Sequence, residues 1–229
     1  MKNSKVIKLD NPFPAIAIDD FMSPALLRAA ANSFPEIGWA HWHTYDGNDN
    51  DNMALKVGTR DRLRITIEAL TALDYIATHF SPAEYFEDFG VNVNVFPDFE
   101  YYAAGMHMLP ENGFLGMHLD ADVHGANKIW KREYSVVLCA SEEYDSSFDL
   151  LLHNTKEYSR VPYKFNRLMA FKCSENSWHG VPNRITPGMI RKTLPVFFWS
   201  KIDENESVEN RRTRSIFRND LSFNKVGGI

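Results

Sequence analysis

Apolar residues recur along this chain at two different periods, and the change of period divides it. Up to about residue 90 the spacing is helical. Ser23-Pro24 offers an N-cap followed by proline at the first helical position, so Ala25–Phe34 is expected to continue as a helix that Pro35 ends. Leu63, Ile67, Leu70, Leu73, Ile76 and Ala77 share one helical face and predict a longer amphipathic helix over 60–80. Ser81-Pro82 starts a third helix that ends near Gly90. Between the first two lies His41–Asn52, a polar stretch of turn-forming residues.

From about residue 91 to 200 the pattern shortens to alternation and brief apolar runs. Strands are expected at Val91–Phe96, Glu100–Met108, Phe114–Leu119, Tyr134–Ala140, Phe148–His153, Leu168–Lys172, Trp178–Val181 and Arg191–Lys201. Short strands in this number, separated by turn residues, suggest a sandwich, barrel or jelly roll. After Lys201 the chain becomes charged and Asn-rich and is expected to pack loosely over the core. No internal repeat or low-complexity linker marks a second unit. The chain is therefore read as one domain over 1–229: a helix-rich support (1–90), a β core (91–201) and a tail (202–229).

Composition narrows the function classes. The 229 residues are 44% hydrophobic, 13% aromatic and 24% charged, enough to bury a core without disulfides. A formal net charge of −5 argues against a broad surface for duplex nucleic acid, and mildly favours a basic or neutral partner. The cluster Arg211, Arg212, Arg214, Arg218 reads as a solvated or interface-capping segment. Cys139 and Cys173, each in an apolar run, read as free thiols in a reducing compartment. No window approaches a membrane span, and a cytoplasmic location with no membrane partner is expected.

Candidate chemistry begins at Gly116-Met117-His118-Leu119-Asp120. His and Asp two apart on an extended chain point to one face and can reach one ion. Iron(II) chemistry with oxygen needs two histidines and a carboxylate on one face of an octahedron, with the other face open. Alone, His-x-Asp is weak evidence, and a surface ion pair at a strand end would explain it equally. His179, in Ser177-Trp178-His179-Gly180-Val181, offers a third ligand. Twelve residues on, Arg191 opens a mostly apolar strand, where a guanidinium is costly to bury without an anion. A carboxylate ligand would satisfy it; so would a structural salt bridge.

In this order the residues resemble the prolyl-4-hydroxylase-like branch of the iron(II)/2-oxoglutarate oxygenases. The resemblance is carried by His118-x-Asp120, His179 and Arg191-x-Thr193. Pro12–Phe21, Gly113-Phe114-Leu115, Phe165-Asn166-Arg167-Leu168 and Trp178-His179-Gly180 are similar to the family's flanking segments. It covers about residues 12–200, and departs at Ser147–Leu152 and in the longer gap between His179 and Arg191. The resemblance implies a mainly β fold with flanking helices: a double-stranded β-helix, the cupin-like jelly roll, on N-terminal helical support. It implies Fe(II) held by His118, Asp120 and His179, 2-oxoglutarate as cosubstrate anchored by Arg191 and Thr193, and O2 as co-reactant. The implied reaction is hydroxylation of a protein or peptide side chain or of a small metabolite.

Other residues are second-tier candidates. Arg184 and Lys192 compete with Arg191 as anchors. Tyr102 and Tyr134 are candidates for hydrogen bonds to the cosubstrate, with core aromatics as the plainer reading, and His107 is a candidate substrate contact. His41 and His43 suit a second metal or, more simply, flank Trp42 in a loop. Asp122 could compete with Asp120 but lies beyond the expected turn. Segments 44–52 and 121–131 are expected to flank and gate the mouth. Two other classes remain open at this point: a jelly-roll metalloprotein using zinc or manganese without 2-oxoglutarate, and a non-catalytic binding or sensing module.

Overall fold

Two antiparallel sheets stacked face to face, with helices against the outer side of the larger one, make up this computed structural model, which describes residues 5–45, 52–90, 94–203 and 211–221. In chain order the elements are β1 (Val6–Leu9), β2 (Ala15–Ile18), α1 (Pro24–Asn32), β3 (His43–Thr44), β4 (Met53–Ala54), β5 (Val57–Gly58), α2 (Ile67–His79), α3 (Pro82–Tyr85), β6 (Phe96–Pro97), β7 (His107–Leu109) and β8 (Phe114–Leu119). There follow β9 (Trp130–Cys139), β10 (Leu150–His153), β11 (Tyr158–Val161), β12 (Leu168–Lys172), β13 (Trp178–Val181), β14 (Arg191–Lys201) and β15 (Ile216–Phe217). The large sheet runs β1-β2-β12-β9-β14-β7-β5-β3, with β6 also on β14. The small sheet runs β11-β10-β13-β8-β15, with β4 also on β8.

Side-chain alternation along the large sheet assigns each residue to one of two cores. Ile16 and Ile18, Val136 and Leu138, Leu168 and Ala170, and Leu194 and Val196 all point outward into the core shared with the helices. Their neighbours Ala15, Ala17, Cys139, Met169 and Phe171 point inward, against Leu150, Leu152 and Val181 of the small sheet. The registers Leu194↔Leu138 and Leu168↔Leu138 keep this parity across three strands. The strands are apolar on both faces because both faces are covered.

Helix α2 packs on β14 and α1 through a face of small and branched residues, Ala69, Ala72, Leu73, Ile76 and Ala77, and the alanines let the helix come close. It is shorter than the 60–80 helix its sequence suggests. Thr66 has extended backbone angles (φ −64°, ψ 152°) and restarts the chain at Ile67, while Arg62–Arg64 form an isolated 3-10 turn. Leu63 and Ile67, the first two positions of the expected apolar face, are 92% and 79% exposed. Helix α1 begins as expected, with Pro24 in its first turn, although Ser23 makes no side-chain cap. Ser81 does cap α3, accepting from the Glu84 amide, and Gly90 closes the following 3-10 turn at φ +67°.

Strands β8, β12, β13 and β14 coincide with the expected segments, and β9 begins four residues before its expected start. The expected strand Glu100–Met108 shrinks to His107–Leu109. The Asp98 carboxylate accepts from the amides of Glu100 and Tyr102, and Tyr101, Ala103 and Gly105 take positive φ, so this stretch is a knotted turn. Of Val91–Phe96, residues 91–93 lie outside the described residues and the strand is Phe96–Pro97. Strands β1, β2 and β11 were not foreseen. Nor is the tail loose where it is described. Strand β15 extends the small sheet along β8, and Arg212 pairs with Asp122.

Candidate metal centre

Three side chains converge between the sheets at one end of the sandwich. His118 on β8 and His179 on β13 are direct register partners, and Asp120 lies just past the end of β8. The His118 Nε2 is 3.6 Å from Asp120 Oδ1, and the His179 Nε2 is 3.7 Å from Asp120 Oδ2. Among the described residues these three form the one cluster whose donor atoms suit a single ion. His41 and His43 do not join it: His41 meets Arg64, and His43 packs against Tyr45. Asp122 is engaged by Arg212.

The rings are set up to ligate. Nδ1 of His118 lies 2.9 Å from the Gly116 carbonyl, and Nδ1 of His179 lies 3.0 Å from the Ser177 carbonyl. A carbonyl only accepts, so each Nδ1 carries the proton and each Nε2 presents a lone pair to the centre. Burial and the neighbouring His118 push His179 down to about 3. Asp120 is held well below the usual carboxylate range despite its burial, by Arg132 and the two histidines. Two neutral imidazoles and one ionised carboxylate are the donor set a divalent metal of the iron type takes.

Two residues that the sequence reading missed hold Asp120. Arg132 Nη1 lies 2.9 Å from Oδ2, and the Ser135 hydroxyl donates to the same oxygen at 2.7 Å. Arg132 is clamped in turn over the rings of Phe197 and Trp199. It gave no signal of the Arg191 kind, because it lies in the charged run Lys131-Arg132-Glu133 ahead of the expected strand. Phe217, stacked on His118 with ring centroids 5.3 Å apart, gave no such signal, because β15 is only two residues long.

Two cavities meet at the triad. The inner one runs between the sheets and ends on Arg191 and Thr193, with Val137, Leu150 and Phe171 as apolar walls. Arg191 is 7% exposed. Its Nε donates to the Phe148 carbonyl at 3.0 Å and its guanidinium lies over the Tyr163 ring, yet among the described residues no carboxylate pairs with it. Burial lowers its pKa. Among the described residues the salt-bridge explanation of this arginine therefore finds no partner at contact distance, and the Asp149 carboxylate acts on it only from farther off. The competing anchors point elsewhere: exposed Arg184 donates to the Asn112 carbonyl, and Lys192, one residue out of parity with Arg191, donates to the Ala31 carbonyl on the helix side.

The outer cavity opens from the triad past His43, Tyr45, Arg60, Tyr102 and Arg132, under Phe217. Ala121, Val123 and Gly125 of the 121–131 segment line it too. The other expected flank, 44–52, lies mostly outside the described residues. His107 borders both cavities, and its Nε2 is buried without a hydrogen-bond partner. The two tyrosines part company, Tyr134 matching its plainer reading as a core aromatic. Tyr134 lies on the outward face of β9, packed on Phe86 in the helix-side core, so parity removes it from the site. Tyr102 belongs to the turn at Asp98 and rests against His124, in the outer cavity and away from Arg191.

No family model and no curated protein sequence matches the chain. Solved structures do. A prolyl hydroxylase from Trichoplax adhaerens, in complex with a peptide fragment of the hypoxia inducible factor oxygen degradation domain, matches 81% of this chain and 83% of its own at TM-score 0.57 and 12% identity. The viral collagen prolyl hydroxylase of Paramecium Bursaria Chlorella virus-1, as a 2OG complex, matches 81% and 96% at TM-score 0.55 and 10% identity. An oxidoreductase of the 2OG-Fe(II) oxygenase family from Burkholderia pseudomallei matches 87% of each chain at TM-score 0.52 and 14% identity. At such identities the likeness is one of backbone architecture, and that architecture, in this chain, is the jelly roll of the 2OG-Fe(II) oxygenases, prolyl hydroxylases among them.

Proposed function

We propose that this protein is an Fe(II)- and 2-oxoglutarate-dependent dioxygenase that hydroxylates an unactivated C–H bond of a protein or peptide side chain or of a small metabolite. The observation that carries this reading is the shared inner cavity. A His/Asp/His donor set stands at one end, and at the other stands a buried arginine that no carboxylate among the described residues pairs with. A metalloprotein using zinc or manganese without 2-oxoglutarate has no use for that arginine.

Each residue then has a task. His118, Asp120 and His179 hold Fe(II) through two Nε2 atoms and a carboxylate oxygen. Arg132 and Ser135 keep Asp120 ionised and oriented. Arg191 takes the far carboxylate of 2-oxoglutarate by paired N–H donors, and the Thr193 hydroxyl, on the same face of β14, adds to that grip. Val137, Leu150 and Phe171 keep the cosubstrate's carbon chain dry. The bound metal and cosubstrate supply the oxidising power, and the protein supplies binding, orientation and exclusion of water.

Anaerobic titration of the protein with Fe(II) and 2-oxoglutarate tests this. The weak visible charge-transfer band of the chelated cosubstrate is expected in the parent protein. It is lost in His179→Ala, and in Arg191→Ala it needs far more 2-oxoglutarate. Metal binding with no 2-oxoglutarate-dependent band would overturn the proposal.

A further inference from the structure

The outer cavity has a charge that the chain as a whole does not. Lys56, Arg60, Arg132 and Arg214 line it, Lys56 bordering the inner cavity as well, and among the described residues the lining holds a single carboxylate, Asp120, which Arg132 engages. Among the described residues Lys56, Arg60 and Arg214 have no acidic partner, in a chain whose net charge is −5. Lys56 and Arg60 flank β5 at even spacing, so they share the face on which Gly58 stands between them. Gly58 is the register partner of both His43 and His107, and a Cβ there would come within 2.5 Å of the His107 ring. The missing side chain lets His107 lie in the floor between the two cations.

Unmet polar atoms belong to the same lining. The Tyr45 hydroxyl, His107 Nε2 and Arg132 Nε are all buried without a hydrogen-bond partner among the described residues, and all three residues border this cavity. Buried polar groups are rarely left unpaired, because each costs about 1–3 kcal/mol when stranded. Lys56 is half-buried, with its ammonium 4.5 Å above the Tyr45 ring. Burial pushes Tyr45 up to about 12, so its hydroxyl remains a donor at neutral pH.

We propose that the outer cavity is the substrate chamber and selects an anionic substrate, a small molecule whose carboxylate or phosphate is held by Lys56, Arg60 and Arg214 with a hydrogen bond from Tyr45. The proposal rests on the oxygenase reading of the same site, because that reading makes the mouth of the triad the place where substrate enters. It reverses the hint of the overall charge, which favours a basic or neutral partner. A field confined to a cleft outweighs the net charge there, since low-dielectric walls focus it.

The full chain, loaded with Zn(II) as a redox-inert metal and saturated with 2-oxoglutarate, is titrated at constant ionic strength with inorganic phosphate and, separately, with benzoate. Binding is read by calorimetry and by tyrosine fluorescence. At least one anion is expected to saturate without displacing 2-oxoglutarate, and the better binder tells phosphate from carboxylate. Arg60→Gln and Lys56→Gln are each expected to weaken it about tenfold, the loss of one charge-assisted hydrogen bond. Arg60 is exposed and has no side-chain partner among the described residues, so its variant tests the proposal free of folding effects. No saturation, binding unmoved in both variants, or competition with 2-oxoglutarate would overturn it. Failure of 2-oxoglutarate to bind the Zn(II)-loaded protein is a different result, and would remove the oxygenase reading instead.

Discussion

Single residues carry the sharpest consequences. Arg191 is a buried cation awaiting an anion, so its replacement separates function from stability. Arg191→Met is expected to weaken 2-oxoglutarate binding about 100-fold, the equivalent of roughly 3 kcal/mol of paired, charge-assisted hydrogen bonds. The metal-free protein should meanwhile lose only about 1–2 kcal/mol of unfolding free energy: among the described residues no acidic partner is stranded, and the Phe148 carbonyl loses the Arg191 donor. A denaturant titration that showed a loss of several kcal/mol would mean the arginine has a structural anchor beyond that bond. Ser135→Ala leaves Asp120 ionised but less firmly held, and metal affinity measured by chelator competition should fall about 10-fold. The pH response has a definite sign. Folding holds His179 neutral down to about 3, while the unfolded chain protonates it near 6.5. His43, His107 and His153 are also lowered by burial. Between those limits the unfolded state binds more protons, so stability falls as pH drops below about 6.5. Denaturant midpoints that rose on acidification from pH 7 to 5 would contradict this. At this scale the family resemblance picked out His118, Asp120, His179 and Arg191, which the structure brings to one cavity, since the His-x-Asp spacing and a cation in an apolar strand were each weak alone. Arg132, Lys56, Tyr45 and Phe217 gave no such signal, because their roles exist only after distant segments meet.

Whole elements explain which parts of the fold could be foreseen. Strands β8, β12, β13 and β14 are apolar, regular and bounded by turn residues, and each coincides with its sequence expectation. Tyr134 takes its plainer reading, a core aromatic and not a hydrogen-bond partner of the cosubstrate, for a reason that belongs to the element: β9 offers alternate faces, and Ser135 and Val137, not Tyr134, face the inner cavity. The stretch 100–106 has β-forming residues, but the Asp98 carboxylate captures two amides ahead of them and a turn wins. The pairing of β13 with β8 is tight where it matters most. A Cβ on Gly180 would lie 2.7 Å from the Gly116 carbonyl oxygen and 2.8 Å from that of Leu115. Gly180→Ala must therefore push the two strands apart beside His118 and His179. It is expected to cost about 1–3 kcal/mol of stability, and to lower metal affinity more than Ser135→Ala does. Unchanged metal affinity would show that the ligand geometry is set elsewhere.

The molecule as a whole is a sandwich buttressed on one side. Helices α1 and α2 cover the large sheet's outer face, while the small sheet carries β15 at its edge. Over residues 211–221 the tail is not loosely packed as expected, because charge and asparagine content describe a segment's solubility and not its hydrogen bonds. The Arg218 amide bonds the Met117 carbonyl, and Arg212 bonds the Asp120 carbonyl. Ending the chain after Asp203 should leave the sheets and helices folded, and lower the thermal midpoint by a few degrees, at roughly 2–4 °C per kcal/mol for a chain of this size. The same truncation uncovers His118, so metal should exchange faster in stopped-flow chelation. An unchanged exchange rate would show that Phe217 does not shield the ion.

The walls of the two cavities differ in how they are built. The inner one is walled by the long central strands β9 and β14, which are locked by neighbours on both edges and packed on both faces. The outer one is rimmed by two-residue strands, a turn and the 211–217 segment, which few other residues depend on. On the proposed function, substitutions on that rim change what is grasped while leaving the metal centre and Arg191 intact. Selectivity in this scaffold is therefore evolvable separately from reactivity, and a library confined to positions 43, 60, 102 and 213–215 is the economical route to a new substrate.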